Sequence, residues 1–313
     1  MSVEVKTAKK SIFRYNIREK INEIKSNRVS YFFLAPYAII FILFTVIPVL
    51  ISIALSFTYY NMLEPPKFIG LGNYIRLFLA DDVFLIAVKN TFVFAAITGP
   101  FSYFLSLLLA WMINEFRPVV RAIFTLLFYA PFISGNAFMV WQIFFSSDAY
   151  GYLNSFLMNL NIINSPILWL ENPQWIMPVV IFVAMWMSFG TAFLAFIAGL
   201  QNIDPSLYEA GAIDGVKNRW QELWYITLPS MRPQLLFGAI MAITQSFTAS
   251  GQVIALAGFP SVDYAARTVV THLIDYGNVR FEMGYAATIA TVLFFTMIIA
   301  QRIVQKILSK VGE

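Results

Sequence analysis

Uncharged polar side chains recur at helical spacing inside two apolar stretches of this sequence. One stretch carries Ser188 and Thr191, and another carries Thr244, Gln245 and Thr248. Hydroxyl and amide groups both donate and accept hydrogen bonds, as a neutral, hydroxyl-rich ligand requires. Residues four apart share one face of a helix, so Thr244 and Thr248 can point the same way. The same groups also join packed helices, and the residues alone leave both interpretations open.

The composition excludes several kinds of catalytic and metal site. The 313-residue chain has no cysteine, which removes disulfides, zinc–thiolate sites and cysteine nucleophiles. His272 is its single histidine, and we predict an ordinary loop residue there rather than a catalytic one. The sequence contains no G-x-x-x-x-G-K-[ST] phosphate loop, so the chain does not bind ATP by that route. We expect no catalytic residue, no metal and no cofactor, and therefore no enzymatic activity of its own.

Long apolar runs must position these polar groups. The chain is 59% hydrophobic and 12% charged, and a soluble domain usually carries about twice that charge. Each run reaches the ~20 residues that a helix needs to cross a bilayer core. The sequence predicts an all-α integral membrane protein with six transmembrane helices. The runs lie at about 31–57, 84–113, 119–145, 174–200, 233–257 and 283–304.

The charge pattern sets the predicted orientation and limits the mechanism. Most of the 21 Lys and Arg residues fall before the first run, between runs two and three, between runs four and five, or at the C-terminal end. The positive-inside rule then places both termini in the cytoplasm. The centres of the runs lack charged residues, which disfavours a transporter coupled to protons or ions. The modest basic excess calls for no nucleic-acid partner.

Three regions follow from this organisation. We predict a basic cytoplasmic tail over 1–30, a membrane domain over 31–308 and a short cytoplasmic tail over 309–313. In the first tail, isoleucines at helical spacing fit either a helix on the inner leaflet or a plain orientation anchor. The predicted outer loops "FIGLGNYIRLF" (68–78), "GYLNSFLMN" (151–159) and 260–277 favour short helices with a connecting role, the last starting near Asp263.

A charged insert over 201–232 interrupts the apolar pattern. Within it, residues 209–229 read "EAGAIDGVKNRWQELWYITLP". Asp204 can cap a helix and Pro205 suits its first turn. Glu209 lies near the middle of that helix, beside a surface of small residues. Gly215 permits the left-handed turn that ends it.

A second short helix follows in the same insert. Asn218 can cap it, with Gln221 three residues on as a capping-box partner. Trp220 and Trp224 give this helix an apolar side, and Pro229 closes the unit. A capped helix–turn–helix with two tryptophans exceeds what a solvated loop needs, so we predict a cytoplasmic knob that fits a socket on a partner protein.

The insert resembles a known motif. "EAGAIDG…ITLP" is similar to the EAA motif of importer permeases in the ATP-binding-cassette (ABC) superfamily. "LAPYAIIFILFTVIPVLISIALSF", "FIGLGNYIRLF", "VKNTFVFA" and "LYEAGAIDG" extend the resemblance over most of the chain, to the sugar-transport branch of the maltose-permease MalF type. This implies a type I importer permease fold whose EAA helices are coupling helices that dock on the ATPase subunit. The matching positions are Glu209, Ala210, Gly211, Asp214, Gly215, Leu228 and Pro229.

Two departures from the motif bear on the docking surface. Gly211 stands where the motif usually has a second alanine, which keeps the surface small but loosens the helix slightly. The gap from Gly215 to Ile226 is one residue longer than usual, so we expect a longer turn between the two helices.

The resemblance also implies a substrate and partners. It predicts a prokaryotic cell-membrane permease for a sugar or oligosaccharide, surrounded by membrane lipid, with a second permease subunit, two ATP-binding subunits and an external solute-binding protein. It places the sugar near the bilayer midplane, on Met187, Ser188, Thr191, Thr244, Gln245 and Thr248. The alternatives are a permease for another polar neutral solute, a stand-alone facilitator or channel, and an exporter or lipid-handling protein; the insert disfavours the last two classes.

Overall fold

The computed structural model describes residues 26–308, and this part of the chain is helical along most of its length. Residues 1–25 and 309–313 lie outside the described residues, as do the predictions for the two tails that fall on them. The helices are α1 (Arg28–Leu55), α2 (Gly72–Leu79), α3 (Asp82–Asn114), α4 (Pro118–Ser134), α5 (Met139–Phe144), α6 (Tyr152–Asn159), α7 (Pro173–Trp186), α8 (Thr191–Gln201), α9 (Pro205–Ile213), α10 (Arg219–Glu222), α11 (Arg232–Thr248), α12 (Gly251–Ala257), α13 (Val269–Ile274) and α14 (Met283–Leu308).

Short irregular segments complete the secondary structure. A π-helical turn, Ile42–Val46, lies within α1. A second one, Leu223–Thr227, and a helical turn, Leu228–Ser230, continue α10, and a third π-helical turn, Asp275–Val279, continues α13. Strands β1 (Thr58–Tyr59) and β2 (Lys67–Phe68) pair antiparallel, with Thr58 opposite Phe68. A two-stranded pair this short only ties the ends of a loop together.

Five helical stretches of the described chain are long and apolar enough to cross a membrane. These stretches are Arg28–Leu55, Asp82–Asn114, Pro173–Gln201, Arg232–Ala257 and Met283–Leu308. The third predicted crossing is shorter, because α4 ends at Ser134 and Gly135 adopts a left-handed conformation with φ +66°. The fold is therefore a multi-pass helical membrane fold, and the count of six crossings remains a prediction.

Among the described residues, those up to Ala54 and those from Leu55 onward form two compact units. In the first unit, α1 is apolar on every side, and Phe32, Phe33 and Phe44 are each more than three-quarters exposed. A helix with no polar face suits surroundings of hydrocarbon rather than water.

The second unit is built around α3, which packs against α7, α8 and α11. Phe193 and Phe196 of α8 are fully buried between α3 and α11. Gly238 of α11 allows this close approach, since a Cβ atom there would lie 2.4 Å from the ring of Phe196. Tight packing through small residues is the usual way in which membrane helices associate, because lipid gives them no hydrophobic reason to do so.

The prediction for His272 is wrong. This residue lies on α13 and is only 1% exposed, at the centre of a buried polar cluster. Its Nε2 atom lies 2.9 Å from Asp81 Oδ2, and Arg267 Nε donates to its Nδ1 atom at 2.9 Å. Asp81 caps α3 and also accepts a hydrogen bond from Tyr285 of α14. The cluster therefore holds the ends of α3, α13 and α14 together.

The hydrogen bonds of this cluster fix the tautomer of the neutral histidine. Because Nδ1 accepts from Arg267, the proton of a neutral His272 must sit on Nε2 and point at Asp81. Burial, reinforced by the Arg267 charge, lowers the pKa of His272. Burial alone would raise the pKa of Asp81, but hydrogen bonds from Tyr285, the Phe84 amide and His272 outweigh it and lower that pKa.

Besides its bond to His272, Arg267 forms an ion pair with the carboxylate of Asp275 at 2.5 Å. Asp275 in turn accepts from Arg280 at 2.8 Å, and the two arginines together lower its pKa although burial opposes them. The helix within residues 260–277 differs from the prediction in where it begins: α13 begins at Val269, capped by Thr268, rather than near Asp263. Asp263 has φ +48° and lies in a 3-10 turn.

We expect this cluster to make thermal stability depend on pH between 5.5 and 7.5. The pKa of His272 is lowered on folding, so below its ordinary value near 6.5 the unfolded chain binds the extra proton and stability falls as pH falls. The midpoint of thermal unfolding in detergent should drop on acidification by about 2 °C or more beyond that of His272→Gln. Glutamine supplies one donor and one acceptor without titrating, and equal pH slopes for the two proteins would contradict the assignment.

Candidate functional site

Three helices of the second unit are interrupted at one place in the fold. The chain breaks between α7 and α8, at residues 187–190, and between α11 and α12, at Ala249 and Ser250. The third break follows α4 at Gly135. Irregular backbone inside a membrane is tolerated only where protein or water satisfies its polar groups, so converging breaks indicate a wet cavity.

A cavity of about 320 Å³ lies at these breaks. Its volume falls in the range of small-molecule sites. Its walls come from α3, α4, α7, α11 and the segments around their interruptions. The lining residues are Phe94, Thr98, Ser102, Phe132, Gly135, Ala184, Met187, Ser188, Gln245, Ser246, Thr248, Ala249 and Gln252.

Four of the six residues predicted to contact the solute line this cavity. Met187 and Ser188 come from the break after α7, and Gln245 and Thr248 come from the end of α11. The structure therefore brings together two segments that are far apart in sequence.

The other two predicted residues lie elsewhere. Thr191 opens α8, beyond the break, and does not line the cavity. Thr244 Oγ1 donates to the carbonyl of Ile240 and accepts a hydrogen bond from Gln301 of α14 at 3.2 Å. Thr244 therefore joins α11 to α14.

The polar groups of the cavity divide into satisfied and unsatisfied ones. Thr98 donates to Ser246 at 3.2 Å, which ties α3 to α11. Ser188 Oγ is buried and has no hydrogen-bond partner among the described residues, and the side chain of half-buried Gln245 makes no hydrogen bond within the described chain. A buried hydroxyl without a partner is costly, so water or a bound molecule is required to satisfy it.

Sequence reasoning missed the wall that α3 contributes. Thr98 and Ser102 lie four residues apart in "TGPFS" and on one side of the helix, which is the spacing that singled out Thr244 and Thr248. Gln252 of α12 was missed as well. Gln142 of α5 donates to the carbonyl of Ala255 and so joins α5 to α12.

A second, larger cavity of about 360 Å³ does not have this character. It is lined by α3, α11 and α14, with Phe104, Ile243 and Val304 among its residues. Its surface is almost wholly apolar, so it offers a hydroxyl-rich solute no partners. Within the described residues, no group of three His, Cys, Asp or Glu side chains could hold a metal ion.

The first helix of the insert, α9, begins and ends with the residues expected of it. Asp204 Oδ1 accepts from the Ser206 amide at 3.0 Å, and Pro205 occupies the first position. At the other end Gly215 has φ +94°, its amide bonds the carbonyl of Ala212, and the Val216 amide bonds that of Gly211. This pair of bonds is a Schellman motif, which only a residue free to adopt positive φ terminates without strain.

The second helix of the insert, α10, departs from the prediction in two details. Asn218 caps it by accepting from the Gln221 amide at 2.9 Å, but Gln221 reaches back to the amide of Lys217 rather than to that of Asn218. Pro229 does not close the unit at its own position. It lies within the turn Leu228–Ser230, and the preceding π-helical turn widens the backbone where the proline ring would crowd it.

The matched motif residues fall into two groups by exposure. Glu209, Ala210, Asp214 and Gly215 are exposed, as a docking surface requires. Gly211 is buried instead, under Ile226 of the π-helical turn. A Cβ atom at Gly211 would lie only 2.5 Å from Ile226 Cδ1. The expectation that Gly211 belongs to the small-residue surface is therefore wrong: its lack of a side chain lets the two helices of the insert approach.

Leu228 and Pro229 are half-buried at the end of the insert that adjoins α11. Leu228 packs against the core cluster that contains α8 and α11. Tyr208 and Thr227 join the two helices of the insert through a hydrogen bond of 3.0 Å. The insert is thus a small packed unit with a fixed shape.

An unpaired carboxylate and exposed apolar side chains mark the outer face of the insert. Glu209 makes no ion pair or side-chain hydrogen bond with any described residue. Ile213, Trp224 and Tyr225 of the same insert are each more than 60% exposed. Large exposed apolar side chains on a packed unit of this size are typical of a surface that a partner protein covers.

Comparisons with known proteins agree with this geometry. The family described as binding-protein-dependent transport system inner membrane component matches residues 27–311. The probable ABC transporter permease protein YesP of Bacillus subtilis (strain 168) is 34% identical over 273 residues, which cover 86% of each chain. The lactose transport system permease protein LacF of Rhizobium radiobacter is 34% identical over 66% of this chain and 69% of its own.

A solved structure resembles the chain as well. It is the crystal structure of a bacterial alginate ABC transporter in complex with an alginate pentasaccharide-bound periplasmic protein. One of its chains superposes with a TM-score of 0.70 at 26% identity, covering 93% of this chain and 99% of that one. The type I importer permease fold is thereby shown.

We expect the cavity at the three breaks to be wet. Because the chain has no cysteine, Ser188→Cys introduces a single thiol into the cavity, and a water-soluble maleimide should label it. Ala96→Cys is the matched control, since this exposed residue lines the apolar cavity and faces away from the polar one. Equal labelling rates for the two thiols in the membrane-embedded protein would contradict a water-filled cavity.

Proposed function

Since this chain belongs to the binding-protein-dependent transport system inner membrane component family, we propose that it is the permease subunit of an ABC importer for a sugar or oligosaccharide. The family and the several apolar helices make it a multi-pass protein of a prokaryotic cell membrane. In this proposal ATP is hydrolysed by partner subunits, and the chain supplies half of the path that the solute follows.

The unpartnered polar groups of the cavity carry the proposed substrate. Ser188 Oγ and the Gln245 amide have unused hydrogen-bonding capacity inside a membrane protein. A sugar satisfies both, because every hydroxyl donates one hydrogen bond and accepts others. Relatives named for lactose transport and for alginate support a carbohydrate over other neutral polar solutes. Met187 supplies an apolar contact for the carbon face of a sugar ring.

The insert is the proposed site of coupling. Two ATP-binding subunits work with this chain and a second permease, and one of them receives α9 in a groove. Glu209, Ala210, Asp214 and Gly215 form the contact face, while Gly211, Leu228 and Pro229 hold its shape from within. An external solute-binding protein delivers the sugar, as the periplasmic protein bound to the alginate transporter suggests.

We propose six crossings with both termini in the cytoplasm. Helix α4, of 17 residues, is about 26 Å long at 1.5 Å per residue, slightly short of a hydrocarbon core. It completes its crossing through the Gly135 break and α5. The excess of Lys and Arg before α1, in the insert and in the last turns of α14 supports this orientation.

Loss of the free carboxylate of the insert should uncouple the transporter. Glu209→Ala would leave a basic residue of the ATPase without its partner, which costs on the order of 3–5 kcal/mol when the pair is buried in the docked complex. Sugar uptake and substrate-stimulated ATP hydrolysis by the reconstituted transporter should both fall more than about 100-fold. Gly215→Pro should do the same by removing the left-handed turn of the Schellman motif.

Glu171→Ala is the control for this experiment. Glu171 is also an exposed carboxylate, but it lies on the opposite side of the predicted bilayer, so the variant should transport normally. Wild-type uptake by both Glu209→Ala and Gly215→Pro would disprove the docking assignment.

Gln245→Ala should weaken transport without loosening the fold. Loss of one or two hydrogen bonds to the solute, each about 0.5–1.5 kcal/mol, predicts a kcat/KM for uptake lower by about 2- to 100-fold. Gln301→Ala is the matched control, because Gln301 bonds Thr244 of α11 and does not line the cavity. That variant should lower the thermal midpoint instead, and the reverse pattern would assign Gln245 to helix packing.

A further inference from the structure

The coupling insert touches a helix that is remote from it in sequence. The indole rings of Trp220 in α10 and Trp111 near the end of α3 have centroids 5.2 Å apart, with an interplanar angle of 45°. Rings at this separation are in contact, and such a contact adds attraction between the insert and α3.

An ion pair lies beside this aromatic contact. Arg219, the neighbour of Trp220, donates through one nitrogen to Glu115 just beyond α3 and through another to Glu222 of α10, each at 2.7 Å. The planar guanidinium therefore joins both elements with a fixed geometry. The side chain of Arg219 is 61% exposed, and exposed ion pairs add little to stability. Its contribution is to orientation rather than to the free energy of unfolding.

Helix α3 leads directly from this contact to the cavity. It is a single helix from Asp82 to Asn114, and its residues Thr98 and Ser102 form one wall of the cavity. About 20 Å separates Trp111 from Thr98 along the axis, at 1.5 Å per residue. The helices that flank the insert in sequence are interrupted at the level of the cavity, whereas α3 continues past it.

We infer that Trp111, Trp220, Glu115 and Arg219 form a link that transmits movement of the docked insert to the α3 wall of the cavity. The inference rests on the proposed importer function and adds a second route to the covalent one through α8 and α11. Trp220 and Arg219 act as positioning residues, since they contact neither the cavity nor the exposed Glu209. Movement of the insert then changes both sides of the cavity together.

The test measures how many sugar molecules enter per ATP hydrolysed by the complete transporter in liposomes. Trp220→Ala and Trp111→Ala should each lower this ratio about threefold or more, as expected for an aromatic contact of this size. The double variant should be no worse than either single one, because both remove the same contact. Trp220→Phe keeps a ring and should recover most of the ratio. Phe116→Ala is the control, because it removes a ring contact at the same end of α3, with Phe124 of α4, that does not involve the insert.

A charge exchange tests the ion pair by rescue. Arg219→Glu and Glu115→Arg should each lower the ratio, and their combination should restore part of it, since the opposite charges then face each other again while Glu222 lies beside a second carboxylate. Lys217→Glu, a charge reversal two residues away, should leave the ratio unchanged. Additive losses in the tryptophan cycle together with no rescue by the charge exchange would overturn the link. A wild-type transporter whose uptake does not depend on ATP would instead overturn the proposed function, and the link with it.

Discussion

Every backbone amide and carbonyl that lies inside a bilayer needs a hydrogen-bond partner, because the surrounding hydrocarbon offers none. An unbroken helix meets this requirement within itself, as α14 does over 26 residues; α3 does so over 33 residues except where Pro100 lacks an amide hydrogen. The break between α7 and α8 meets it only partly, through local bonds such as that from the Gly190 amide to the Ser188 carbonyl at 2.8 Å. The remaining backbone groups at this break need partners from the cavity. The interruptions of α4 and α11 lie at the same cavity, where they can share those partners.

Close packing between these helices fixes where the cavity walls stand. Gly190 lies against Phe132 of α4, whose ring would be 2.6 Å from a Cβ atom, and Gly99 of α3 faces Ser246 of α11. Each contact removes the space that a side chain would occupy and brings two backbones together. A movement of α11 therefore displaces α3, and a solute bound between them is contacted by both helices. Stability and transport depend in this way on the same few contacts.

Local signals of the sequence predicted the insert well, and long-range contacts accounted for the errors. The caps Asp204 and Asn218 and the left-handed Gly215 act over four to six residues, so their pattern is readable without a structure. The burial of Gly211 depends on Ile226, which packs back on it from the second helix, and no local pattern specifies that contact. His272 is the clearest case, because its partner Asp81 lies 191 positions away in the chain.

In the cavity, too, the local pattern indicated the correct segments, and contacts between helices decided which side chains line it. Helical spacing placed Ser188, Gln245 and Thr248 in suitable segments, yet spacing within one helix does not reveal which face meets a neighbour, and Thr244 turned toward α14. The resemblance to sugar permeases concerns the helices that flank the insert and carries no information about the wall from α3. Thr98 and Ser102 could have been found by applying the spacing rule to every apolar run.

In the proposed transporter, docking of the ATPase at the insert changes access to the cavity. The most direct measurement is the sidedness of labelling of Ser188→Cys in the complete transporter, reconstituted in liposomes with an ATPase that binds ATP but does not hydrolyse it. A membrane-impermeant maleimide added from one side should label the thiol at rates that differ at least about tenfold with and without ATP, since ATP acts by shifting a two-state equilibrium. Identical rates with and without ATP, measured from both sides of the membrane, would contradict the account.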